Sequence, residues 1–92
     1  MKVTNIESNN GNKIANQFVI TDDKQNEYFQ SYNSMIVKKD YESDQVKIYL
    51  DKKYWNYSNT TGKYRNIFLG ETIKDTKAKI KSGEYILTDL NK

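Results

Sequence analysis

The sequence contains no cysteine, no histidine and no proline. Without cysteine there is no disulfide, no thiolate nucleophile and no thiolate metal site. Without histidine the commonest general base and the commonest metal ligand are both missing. Without proline there is no rigid linker of the polyproline kind. Long apolar runs are lacking too, since nothing approaches the ~20 residues that cross a bilayer. The opening MKVTNIESNN has no apolar segment of the signal-peptide type. The expected location is therefore cytoplasmic, with no membrane partner. Arginine is nearly absent, because Arg65 is the only one among 15 basic residues. Base-edge readout favours the planar fork of arginine, so this imbalance argues against sequence-specific DNA recognition.

What is present fits one small domain of 92 residues. A chain this short hides only about 60–65% of its unfolded surface and has little room for a deep cleft. Eight tyrosines supply ring area that Leu, Val and Phe do not. A tyrosine can place its ring inside and its hydroxyl in water. The net charge of +3 permits an anionic partner without demanding one. The excess of Lys, Asn, Ile and Tyr is also what an A/T-rich genome encodes.

Along the chain, KVTNIE predicts a short strand and SNNGN a turn, because Asn and Gly tolerate positive φ. KIANQFVITD predicts a strand with Phe18 and Ile20 on one face, and DDKQN a second turn. EYFQSY and SMIVKK predict strand interrupted around Asn33, and DYESD a polar turn. In QVKIYLD, Val46, Ile48 and Leu50 alternate with Lys47, Tyr49 and Asp51, the period of a strand with one buried face. The spacing predicts an antiparallel meander with one face still to cover. The period then changes. SNTTGKYRNIFLG places Tyr64, Ile67 and Phe68 on one helical face, with Thr60 behind Tyr64. Its cap is Ser58, Asn59 or Thr60, and its stop is Gly70. Gly62 weakens that helix by up to ~1 kcal/mol. ETIKDTKAKIKSG predicts a second helix, with Thr72 and Asp75 as a capping box, Ile73, Thr76 and Ile80 on one face, and Gly83 at the end. EYILTDL predicts a closing strand. The fold class is α+β: a small antiparallel sheet of about four or five strands with two short helices packed on one face.

Few residues offer chemistry. TTGKY lacks the leading glycine and the trailing Ser or Thr of a phosphate loop, since Tyr57 and Tyr64 stand there. Asp40, Glu42 and Asp44 lack the glycine and final acid of a calcium loop and predict turn chemistry instead. NYS and NTT match the glycosylation pattern, which matters only in a secreted chain. No nucleophile–base pair is evident, so the chain is expected not to be an enzyme and to need no cofactor or metal. The stretch KKYWNYSNTTGKYRNIFLG is richer. Lys52, Lys53, Tyr54, Trp55, Lys63 and Arg65 have the composition of a single-strand nucleic-acid surface, where rings stack bases beside positive charge. The competing expectation is that the rings are core, with Trp55 and Tyr57 sharing a face if the segment after Leu50 stays extended. At roughly 100° per residue, Lys63 and Arg65 fall on opposite flanks of Tyr64. Lys74, Lys77 and Lys81 add a possible phosphate- or acid-binding edge on the second helix.

Three segments carry a resemblance: SYNS at 31–34, YSNTTGKYRNIFL at 57–69, and IKSGEYILTDLN at 80–91. On these the chain, from about Phe29 to Asn91, resembles a family of small uncharacterised proteins from phages and prophages of Gram-positive bacteria. The resemblance implies a mobile-element setting in a bacterial host cell. It implies a non-catalytic accessory protein that binds a host macromolecule, such as an inhibitor of a CRISPR or restriction system. The expected partner is then a host protein, with nucleic acid as the alternative. A positive net charge makes the chain a poor mimic of DNA.

Overall fold

Five strands follow one another as hairpins in the computed structural model, which describes residues 1–91. They are β1 (Lys2–Glu7), β2 (Lys13–Thr21), β3 (Glu27–Ser31), β4 (Ser34–Asp40) and β5 (Lys47–Asp51). Helices α1 (Asn59–Leu69) and α2 (Ile73–Ser82) come next, then β6 (Tyr85–Thr88). Strand order in the sheet equals chain order. The first four pairings are antiparallel and the last, β5 with β6, is parallel. A parallel neighbour requires a crossover, and the two helices provide it. The α+β class therefore holds, with six strands instead of four or five and one parallel pair in the sheet.

The turns form where the polar clusters predict them. Gly11 donates its N–H to the Ser8 carbonyl at 2.9 Å in the first. In the second, Asp22 Oδ1 accepts from the N–H groups of Lys24 and Asn26. The third is only two residues, Tyr32 and Asn33, and Tyr32 sits at φ 55°. Beyond it, Phe29 pairs with Val37 but Gln30 pairs with Met35, so Ile36 is an extra residue. That bulge lets adjacent Ile36 and Val37 both bury completely, which strict alternation would forbid.

The core lies between one face of the sheet and the helices. Val19, Phe29, Val37 and Leu50 stand side by side across β2 to β5. Phe68 of α1 stacks on Phe29 with centroids 5.9 Å apart. Lys39 donates its ammonium to the Phe68 carbonyl at 2.9 Å, near the end of α1, where a cation suits both the free carbonyls and the dipole. Ile80 of α2 and Tyr85 of β6 extend the same cluster. Phe18 and Ile20 do share a face, but it is the one away from the helices, since Gln17 and Val19 alternate to the core side. Val46, expected beside Ile48 and Leu50, precedes β5 and is exposed.

Both helix caps form as the sequence predicts. Ser58 Oγ accepts from the Thr61 N–H at 3.1 Å, and Gly70 closes α1 in the left-handed region. Thr72 and Asp75 exchange both bonds of the capping box ahead of α2. No helix among the described residues is long and apolar enough to cross a membrane.

Candidate functional site

The aromatic-basic stretch does not stay extended after Leu50. Asp51, buried at the end of β5, turns it. Its carboxylate accepts from the N–H groups of Lys53, Tyr54 and, across the sheet end, Leu90. Those bonds hold its carboxyl below the usual range against the opposing effect of burial. The resulting turn sends Tyr54 and Trp55 against the core, while Tyr57 is exposed. Trp55 and Tyr57 therefore do not share a buried face. Tyr57 instead meets the Tyr54 ring edge-on at 5.4 Å. The signal that could have foretold this is Asp51 itself, since an Asp at a strand end readily bonds the amides two and three residues on.

Helix α1 turns Tyr64 and Phe68 to the core as expected, but is rotated enough to leave Ile67 out. Its buried residues are Thr61, Gly62 and Arg65, and Ile67 points outward at 54% exposure. Polar bonds set this rotation. Thr61 Oγ1 lies 2.9 Å from Ser31 Oγ in the buried contact with β3. Arg65, expected on the surface, is only 1% exposed. Its Nη1 donates to the Trp55 carbonyl at 2.7 Å and to Asn56 Oδ1 at 3.1 Å, and its Nη2 donates to Asn66 Oδ1 at 2.9 Å. Its Nε has no partner among the described residues. The guanidinium also lies 5.4 Å from the Trp55 ring. Burial pushes its pKa down, and the more distant Glu71 partly restores it.

The predicted surface is thus divided. Lys52 and Lys53 remain exposed in the turn, beside Asp51 and Asp89 in a depression of about 220 Å³. Lys74, Lys77 and Lys81 are exposed on α2. Lys63 is exposed on α1, yet it borders the same depression as Arg65, about 400 Å³ in volume. The helical angle separates these two cations, but Gly62 between them has no side chain to part the space. Of the rings that would stack bases, Tyr54 and Trp55 are half-buried against the core and Tyr57 is exposed.

The carboxylates serve structure. Asp40 Oδ1 accepts from the Glu42 N–H, and Glu42 accepts from Asn26 Nδ2 at 2.8 Å, which is turn chemistry. Glu71, between the helices, accepts from Thr76 Oγ1 at 2.6 Å, Lys79 Nζ at 2.7 Å and Tyr85 Oη at 2.7 Å. Burial opposes its ionisation, but these donors hold it below the ordinary glutamate value. Burial beside this carboxylate pushes the Tyr85 hydroxyl up to about 12. The sequence reading missed this cluster, whose members come from the linker, α2 and β6.

The sheet face away from the helices was missed as well. The register aligns Val3, Ile20, Tyr28, Lys38, Tyr49 and Ile86 across all six strands. No helix among the described residues packs on this row. Its end members are open to solvent, Val3 at 56% and Ile86 at 41%. Lys38 stands between two tyrosines, 5.7 Å above the Tyr28 ring and 4.0 Å from Asp40. Tyr28 donates its hydroxyl to Asp22 at 2.9 Å; burial and this bond push it up to about 12.

A family of unknown function, DUF8033, matches residues 1–86. The chain belongs to this family. The match takes in β1 and β2, which the segments carrying the phage resemblance leave out. No curated protein and no solved structure matches the chain.

Proposed function

We propose that this DUF8033 member is a non-catalytic binding protein whose docking surface is the uncovered face of the sheet. The observation that carries the reading is the row Val3, Ile20, Tyr28, Lys38, Tyr49 and Ile86. Apolar and aromatic side chains aligned over six strands with no covering layer are a ready interaction surface. Charge narrows the partner. Lys38 at the middle of the row is already faced by Asp40 at 4.0 Å, so the row offers a near-balanced charge within an otherwise apolar contact. Asp22 and Asp40 near Tyr28 would repel a phosphate backbone, which favours a protein over a nucleic acid. The phage resemblance supports a host protein as that partner, and a defence effector as its specific form.

The test is co-expression with a CRISPR or restriction system in cells challenged by phage, paired with affinity capture. The reading expects the protein to permit infection and to retain one defence component. Lys38→Glu, folded by circular dichroism, should lose both effects. Equal capture by wild type and Lys38→Glu, or no effect on defence, would sink the reading. Salt-sensitive quenching of Trp55 by oligonucleotides would replace it with nucleic-acid binding.

A further inference from the structure

The two edges of the sheet are unlike each other. The β1 edge carries Lys2 and Glu7, and its pairing with β2 shifts register between Asn5 and Glu7. Charge and irregularity of this kind discourage a further strand. The β6 edge, Tyr85–Thr88, has neither: it is uncharged, and its register with β5 runs without a shift. Among the described residues the strand order ends at β6. The chain beyond it does not return along this edge. Leu90 donates to Asp51 at the end of β5, and Asn91 exchanges hydrogen bonds with the Met35 backbone of β4. The tail therefore leaves toward the middle of the sheet.

The backbone shows which groups are left over. Lys52 donates its N–H to the Thr88 carbonyl at 2.8 Å, so Thr88 faces β5. Successive strand residues turn their N–H and C=O groups to alternate edges. Ile86 therefore faces β5 too, while Tyr85 and Leu87 point theirs outward. Ile86 stands on the sheet face away from the helices, and Leu87, aligned with Leu50, on the helical side. Both side chains are exposed. An unguarded edge with an open apolar residue on each face is a template for one more strand.

We propose that β6 pairs antiparallel with β6 of a second copy of this chain, about a two-fold axis at Ile86. Two-fold symmetry closes an antiparallel pair only where a residue faces itself. With Ile86 opposite Ile86, Tyr85 of each copy faces Leu87 of the other. These are the residues with outward backbone groups, so each outward N–H meets an outward C=O. The two Ile86 side chains meet in the closer kind of antiparallel pair. The same register sets Glu84 opposite Thr88 and Asp89 opposite Gly83, so no like charges face each other. A second copy is favoured over a foreign strand because its own residues complete this register on both faces. Four residues make a small contact, so the dimer is of the weak, concentration-dependent class. It joins two open sheet faces end to end and does not depend on what docks on them.

The experiment is analytical ultracentrifugation of the full chain from about 1 μM to about 1 mM, beside Ile86→Lys and Ile86→Glu. Wild type should pass from monomer to dimer over this range. Ile86 is open to solvent, so both variants should stay folded by circular dichroism. Each should associate about tenfold more weakly or worse, because each sets like charges together at the axis. Their equimolar mixture should regain the dimer, since the two charges then face each other. No partner protein is present, so the outcome is separate from that of the docking test. Three results would each overturn the pairing: a wild type that is monomeric at every concentration, undiminished association of either variant, or a mixture that stays monomeric.

Discussion

Two charges are buried where the helices meet the sheet, and the protein treats them differently. Glu71, with a side chain 6% exposed, gathers three donors, one of them the ammonium of Lys79. Arg65, 1% exposed, gathers neutral acceptors and leaves its Nε without a partner among the described residues. A low-dielectric surround makes an unmatched charge costly and a fully matched one tolerable. The Glu71 cluster fixes the linker, α2 and β6 as a unit. The Arg65 cluster ties the turn at Trp55 to α1 through neutral acceptors, with Glu71 acting on the charge only from beyond hydrogen-bond reach.

The sharpest way to break this contrast is Glu71→Ala. It removes the acceptor of the Thr76, Lys79 and Tyr85 bonds and leaves the Tyr85 hydroxyl buried without its partner. The expected loss is about 2–3 kcal/mol, since Lys79 regains solvent and the Tyr85 hydroxyl does not, read as a lower midpoint in urea with an unchanged slope. A loss below about 1 kcal/mol would mean that the cluster is a surface ion pair in energetic terms.

Acid should reproduce part of that loss. Glu71 is depressed below its ordinary value of 4.5 in the folded chain. Its contribution is thus fully present above that value and disappears as pH falls through the lower folded one. Asp51 and Asp22 are shifted in the same direction and add to the slope. Thermal melts of wild type and Glu71→Gln should therefore converge as the pH is lowered. Parallel curves would show that Glu71 titrates alike folded and unfolded.

How legible these two regions were in the sequence differs for a physical reason. Turns, caps and strand periods are local, and SNNGN, the Ser58 cap, the Thr72–Asp75 box and the alternation of Ile48 and Leu50 all appear as their residues predict. The Glu71 cluster joins residues 14 apart in sequence, and no periodicity encodes it. On α1 the apolar spacing places Tyr64 and Phe68 on the core as they stand, but not Ile67, and it leaves out Thr61 and Arg65. Thr61 and Arg65 join that face through hydrogen bonds to Ser31 and to the Trp55 carbonyl, which hydrophobic spacing cannot register. The parallel β5–β6 pair was missed because a short strand after two helices looks the same in sequence whichever way it pairs.

Arg65→Met tests the other half of the comparison. It frees the core of an uncompensated charge but leaves the Trp55 carbonyl without its donor. Removing a buried charge stabilises and orphaning a carbonyl costs about 1–3 kcal/mol, so the two effects nearly offset. The expected change is within about 1 kcal/mol of zero, in contrast to Glu71→Ala. A loss as large as that of Glu71→Ala would show that Arg65 is as fully committed to the fold as Glu71.

The smallest effect is expected at Ile67, and it sharpens the account of α1. Hydrophobic spacing puts Ile67 with Tyr64 and Phe68 on the buried face. The polar anchors at Thr61 and Arg65 rotate it out to 54% exposure. An exposed apolar residue away from caps and special backbone changes stability by about 0.5 kcal/mol or less when replaced. Ile67→Lys should therefore leave the urea midpoint nearly unmoved, and lysine suits an exposed helical position as well as isoleucine does. A loss of about 2 kcal/mol or more would return Ile67 to the core, turn Arg65 outward and remove the buried charge on which the comparison rests.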